Sequence, residues 1–179
     1  MANLNMMYKV KNRSSGRVCY SVFYNGNKVN QSFNPGEEKL VSFEELRQLA
    51  YQSGGPGLIY NYLLIGDKIT DFVNIKPEPE YYMDDEEVKD LLVNGSLDAF
   101  LDCLDFAPIG VLDLVKKYAV EMPLNDFNKR RAITERLGFN VDKAIANNEA
   151  TKADVEAAEA ERTPTRRTTP KYTVVNKQE

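Results

Sequence analysis

Between residues 84 and 147 the chain is cut into short segments by residues that start and stop helices. This punctuation limits what the chain can fold into more than any other feature does. Asp84, Asp85, Glu86 and Glu87 open the first segment, and Asn94 with Gly95 closes it. Ser96, Leu97 and Asp98 open the second, and Ala107 with Pro108 ends it and starts the third. Met122, Pro123, Leu124 and Asn125 turn the next corner, and Gly138, Phe139 and Asn140 turn the last. Each corner has a physical cause. Ser, Asp and Asn side chains accept hydrogen bonds from the free N–H groups of a first helical turn. Proline in the first turn gives up a donor that the helix leaves unused. Glycine after a helix takes a positive φ without a Cβ clash. The spacing of apolar residues then predicts about five short helices. Val88, Leu91 and Leu92 form one inward stripe, and Leu97, Phe100, Leu101 and Leu104 form another. Apolar residues surround most of the third helix, which makes it central. Phe127, Ile133 and Leu137 are expected to face inward on the fourth, and Val141 and Ile145 to anchor the fifth.

The residues before this array have a different periodicity. Between 8 and 41, stretches of alternating apolar and polar residues are broken by turn clusters, which predicts three or four strands in a small antiparallel meander. Asn25 and Gly26 suit a two-residue hairpin turn. A meander of this size is marginal alone and needs a cover on one face. Ser42, Phe43, Glu44 and Glu45 have the pattern of a capping box, and Phe43, Leu46, Leu49 and Ala50 supply the covering stripe of the helix that follows. The glycine-rich stretch 53–57 is expected to be a plain loop, because no Gly-Lys-Ser or Gly-Lys-Thr follows it. Residues 58–65 and 68–75 suit strand or helix equally by periodicity. Residues 76–80, with two prolines, form a stiff connector.

The fold class is therefore α+β. Residues 1–76 are the β-rich part with its covering helix, and 77–147 are the helical array. Residues 148–179 are a linker and an extended C-terminal arm. Residues 148–162, rich in Ala, Glu, Lys and Asp, suit a solvated helix or coil with almost no apolar face, and 163–170, rich in Thr, Pro and Arg, are too poor in apolar groups for a packed element. Residues 171–176 regain β character. Tyr172 and Val174 fall on one side of an extended chain, and Thr173 and Val175 on the other.

Charge is divided unevenly. Residues 77–126 hold 13 acidic groups against three lysines, a net of −10, whereas the segments before and after are each net +3. An acidic middle between basic flanks suits self-association, or a partner of mixed charge, better than general nucleic-acid affinity. The chain has no histidine, which removes the commonest general base and metal ligand. Two cysteines are too few for a structural zinc site, and Cys19 and Cys103 both suit small buried positions. No leader and no membrane span is visible, so the chain is expected to be made and kept in a cytoplasm. No nucleophile–base pair or cofactor loop stands out, and the expected chemistry is neither enzymatic nor cofactor-dependent. The acids at 84–87 suit a helix N-terminus. Asp98, Asp102 and Asp105 suit a solvated helix face. Residues 129–148 have helix-turn-helix proportions, with Arg130, Arg131 and Arg136 available for phosphates but few base-reading side chains on the second helix.

Several short motifs together carry a resemblance. They are Tyr8 to Gly16 (Tyr-Lys-Val-Lys-Asn-Arg-Ser-Ser-Gly), Phe33 to Glu37 (Phe-Asn-Pro-Gly-Glu), Val41 to Leu46 (Val-Ser-Phe-Glu-Glu-Leu), Gly95 to Asp98 (Gly-Ser-Leu-Asp), Leu101 to Pro108 (Leu-Asp-Cys-Leu-Asp-Phe-Ala-Pro) and Leu124 to Asp126 (Leu-Asn-Asp). As a set they resemble a family of small proteins of tailed bacteriophages and prophages, over roughly residues 7–147. The resemblance implies an accessory component of a virion, associated with the head or capsid, made in the host cytoplasm and carrying no catalytic residues. Its partners would be other virion proteins or copies of itself. The binding residues expected in the arm are Arg166, Arg167, Tyr172, Val174 and Val175. The alternative is a phage-encoded DNA-binding or regulatory protein that uses residues 129–148.

Overall fold

The structure, a computed structural model, describes residues 6–24, 26–74 and 81–162. The connector at 76–80, Asn25 and the five candidate arm residues lie outside the described residues. The fold is α+β. Strands β1 (Met7–Asn12), β2 (Val18–Tyr24), β3 (Asn27–Phe33) and β4 (Glu38–Ser42) are followed by α1 (Phe43–Tyr51), α2 (Gly55–Tyr62) and the two-residue strand β5 (Leu63–Leu64). A 3-10 turn spans Gly66–Asp71. The array is α3 (Asp85–Val93), α4 (Leu97–Phe106), α5 (Ile109–Glu121), α6 (Phe127–Leu137) and α7 (Val141–Arg162).

The strands are shared between two small sheets. β2 and β3 form the hairpin expected at Asn25 and Gly26, with Tyr24 opposite Asn27 and Gly26 at a φ of 73°. β1 does not continue that meander. It pairs antiparallel with β4, Met7 opposite Ser42 through Lys11 opposite Glu38, and with β5 on its other side. The buried side chain of Asn12 holds the break between β1 and β2. Its amide donates to the carbonyls of Gly16 and Phe33, and its Oδ1 accepts the Ser14 N–H. Val10, Val22, Phe33 and Val41 from the sheets meet Leu46 and Leu49 of α1 and Ile59 of α2 in one buried cluster. On β2 the alternation places Val18, Tyr20 and Val22 inside, so Cys19 faces out, contrary to the buried position expected for it.

α1 begins as predicted, with the Ser42 hydroxyl accepting the Glu45 N–H. The reciprocal half of the capping box is missing, because the buried Glu45 carboxylate instead accepts the Tyr20 hydroxyl at 2.7 Å. The glycine-rich stretch is not a plain loop. Gly54 turns the chain with a φ of 80°, and Gly55, Pro56 and Gly57 form the first turn of α2.

The array keeps its predicted corners. Asp84 and Glu87 form a full capping box, Ser96 accepts the Ala99 N–H, and Asp126 accepts those of Asn128 and Lys129. A second buried cluster joins all five helices, with Val111, Leu114 and Val115 of α5 at its centre. Two expected inward residues face solvent. Leu97 is 37% exposed and Phe127 69%, since each sits at the first position of its helix. The side chain that enters the core from this end of α6 is Lys129.

Gly138 ends α6 in the left-handed region, at a φ of 64° and a ψ of 16°, with its N–H donated to the Thr134 carbonyl. Open space surrounds the position where a Cβ would sit, so a substitution there acts through backbone conformation alone. Gly138→Val is expected to destabilise the protein by about 1 kcal/mol or more. That corresponds to a fall in melting temperature of about 3 °C. An unchanged melting temperature would contradict the left-handed cap.

Candidate interaction surface

The two buried clusters meet across a polar seam. Arg13, at the end of β1, is 1% exposed. Its guanidinium lies 4.1 Å above the Tyr82 ring, and its Nη2 donates to the Tyr60 carbonyl at the end of α2. Burial lowers its pKa to about 10, and its Nε and Nη1 have no hydrogen-bond partner among the described residues. The Tyr82 hydroxyl clasps β5, accepting the Ile65 N–H at 3.2 Å and donating to the Leu63 carbonyl at 2.8 Å. The Ser15 N–H and hydroxyl both donate to Asp113 of α5. The Asn61 side chain accepts the N–H of Ile109, one of the unpaired donors that begin α5.

Asp85 is the centre of the seam's ionic part. It pairs with Lys11 of β1 and accepts the Tyr118 hydroxyl at 2.6 Å. Lys89 and Lys117 place their ammonium groups 4.9 and 4.8 Å from the Tyr118 ring centroid. Burial pushes the Tyr118 phenol upward, and the bond to Asp85 adds to that shift. Burial also works against the Asp85 carboxylate, yet Lys11 and Tyr118 more than offset it and hold its pKa below the ordinary 3.8. A carboxyl whose pKa is depressed by folding stabilises the native state above its unfolded pKa. The contribution disappears as pH falls through the folded value. Asp85→Asn is therefore expected to lose about 1–2 kcal/mol at pH 7. The gap to the parent should narrow as pH drops below about 4, read from urea midpoints across that range. A gap independent of pH would contradict the ionic role.

Beside this seam a cleft of about 430 Å³ lies on the outer face of the β4–β1–β5 sheet. Its floor is the cross-strand row Glu38, Lys11 and Leu64, fixed by the strand register. Lys9 and Tyr82 flank that row, and Asp84 and Glu87 from the start of α3 form one wall. Lys9 is paired with Glu38, and Lys11 with Asp85. Asp84 and Glu87 each use one carboxylate oxygen in the capping box and form no ion pair among the described residues. The cleft is thus mixed in charge with an acidic excess on one wall. Nearby on the same outer face, Met7 is exposed and Leu40 is 61% exposed.

α7 is the second feature of interest. Val141 is buried, and Ala144, Ile145 and Asn148 are half-buried against the array. From 149 to 156 every side chain is exposed. Residues 149–162 thus extend the helix about 20 Å beyond its last packed turn.

Of the other carboxylates, Asp98 and Asp102 are exposed, and Asp105 pairs with Arg136. Arg130 pairs with Asp142, and Arg131 with Glu135. Each of the three arginines that a DNA-binding reading would use on phosphates thus already holds a carboxylate. Cys103 is buried, and burial pushes its thiol up to about 11, which keeps it protonated and unreactive at neutral pH. Among the described residues, no group of His, Cys, Asp or Glu side chains is arranged to hold a metal ion. None of the helices there is long and apolar enough to cross a membrane.

Periodicity gave no sign of Arg13, Lys129 or Glu45 as buried groups, because a charged residue between apolar neighbours reads as surface. Set against protein-family models, curated proteins and solved structures, the chain gives no match.

Proposed function

We propose that the protein is a non-enzymatic interaction protein, an accessory component of a tailed-phage virion associated with the head or capsid. It binds neighbouring subunits through its C-terminal arm. The observation that carries this reading is α7. A helix whose side chains are all exposed from 149 to 156 makes no packed contact with the body there, and so suits a spacer leading to residues 163–179. The resemblance over residues 7–147 supplies the virion setting. The arm's chemistry suits strand addition, in which main-chain bonds give affinity and alternate side chains fill pockets. Tyr172, Val174 and Val175 would fill those pockets, and Arg166 and Arg167 would pair with carboxylates.

Deleting residues 163–179 tests this directly. The truncated protein is expected to melt within about 1 °C of the parent, because α7 already makes no packed contact from 149 to 156 and the segment removed is poor in apolar groups. It is expected to enter particles poorly. Normal incorporation would overturn the reading. The alternative, DNA binding through residues 129–148, is favoured instead if the full chain distinguishes one duplex sequence from scrambled DNA at physiological salt. Weak binding that collapses with added salt marks only phosphate attraction.

A further inference from the structure

We infer that the arm's docking site is the free edge of β4 together with the acidic wall of the adjoining cleft, and that its occupant is the arm of a second copy of this chain. The inference rests on the arm-mediated reading above and assigns that reading its receiving surface.

Three observations converge on this surface. First, β4 is an outer strand of the β4–β1–β5 sheet, and no described strand pairs with its far side. The Phe43 N–H donates to the Met6 carbonyl, so pairing with β1 falls on alternate residues, which in β4 are Lys39 and Val41. Glu38 and Leu40 therefore turn their main-chain donors and acceptors to the open edge. An unpaired edge is a template for another strand. Secondly, this edge is apolar where the arm is apolar. Leu40 stands exposed on the outer face beside Met7, a match for Tyr172 and Val174, which share one side of the β-prone segment.

Thirdly, the charges are complementary. The cleft that begins at Glu38 ends on the wall formed by Asp84 and Glu87, whose carboxylates have no cationic partner among the described residues. Arg166, Arg167 and Lys171 are basic, with no acid between them. The lengths agree as well. Residues 166 to 172 span about 20 Å when extended, while crossing from the edge of β4 to β5 takes about 10 Å. A segment seated on the edge can thus place its arginines at the wall of α3. The other open strands offer less for the arm's basic groups: the outer face of β2 and β3 carries the exposed Phe23 but otherwise Ser21, Asn30 and Lys28, and no carboxylate.

Disulfide trapping in the full-length chain tests this site. In a Cys19→Ser background, a Leu40→Cys chain is mixed with a Val174→Cys chain under mild oxidation. A covalent dimer is expected from the mixture, and Glu87→Gln in the Leu40→Cys chain should reduce its yield while preserving the acceptor that caps α3. A control mixture of Phe23→Cys, on the outer face of β2, with Val174→Cys should give little dimer. Equal trapping at Phe23 and Leu40, or trapping at Phe23 alone, would overturn the assignment of this edge while leaving the arm reading intact. A cross-link that forms only when both cysteines are on one chain would overturn the second copy as occupant. No cross-link from any pair, in protein whose deletion variant still fails to assemble, would overturn the site and leave the arm seeking a different virion protein.

Discussion

Lys129→Ala is expected to destabilise the protein by about 3 kcal/mol, measured as a shift in the urea midpoint. Lys129 is 3% exposed. Its Nζ reaches across from α6 to donate to the carbonyls of Leu91 at 3.0 Å and Leu92 at 2.9 Å. These carbonyls belong to the last turn of α3, where a helix has acceptors without intrahelical donors and a partial negative charge. The ammonium also lies 5.7 Å from the Phe100 ring centroid. Truncation removes charged hydrogen bonds, leaves the Leu92 carbonyl buried without a donor, and opens space beside Phe100. Lys129→Met separates these effects, since it keeps most of the stem and loses the ammonium. It should lose about 2 kcal/mol. If neither variant shifts the midpoint, Lys129 is not the group that joins α3 to α6.

Gly110→Ala is expected to destabilise by about 1–3 kcal/mol, against the usual direction of that substitution in a helix. Alanine is favoured over glycine in helix interiors by about 1 kcal/mol. Gly110, in the first turn of α5, faces the seam. A Cβ there would lie 2.5 Å from the Asn61 carbonyl oxygen and 2.7 Å from the Arg13 Cγ. The first neighbour is backbone and the second belongs to a buried side chain, so neither can swing aside. Overpacking of this kind typically costs about 1–3 kcal/mol before any gain from propensity, and Gly110→Val should lose more than Gly110→Ala. The loss should be largely absent in an Arg13→Ala background if Arg13 is the obstacle, and retained if the Asn61 carbonyl is. A Gly110→Ala protein more stable than the parent would contradict the close approach of α5 to α2.

What could be read from the sequence was local. Asp84, Ser96, Asp126 and Gly138 mark helix ends because capping depends on residues within one turn, and all four act as caps in the fold. The outward position of Cys19 was also legible, from strict alternation with Val18, Tyr20 and Val22, although its apolar surroundings suggested burial. Pairing of β1 with β4 was not legible, since nothing in either strand names its partner. Glu45 illustrates the same limit. Its place three residues after Ser42 marks a capping box, yet its carboxylate is claimed by Tyr20, 25 residues earlier. Arg13 and Lys129 are buried because distant backbone carbonyls await them, and periodicity contains no record of distant carbonyls. Phe127 shows the converse, an apolar residue at the correct spacing left outside because its helix starts at the rim. For the cleft, Asp84 and Glu87 were visible as helix-starting acids. Their meeting with Lys9, Lys11 and Leu64 needed the three-stranded sheet.

Quantitative mass spectrometry of purified particles tests the central claim most directly. The protein is expected in washed particles at many copies each, in fixed ratio to the major structural proteins. Its absence from particles, with the protein abundant in the lysate, would contradict a role in the virion.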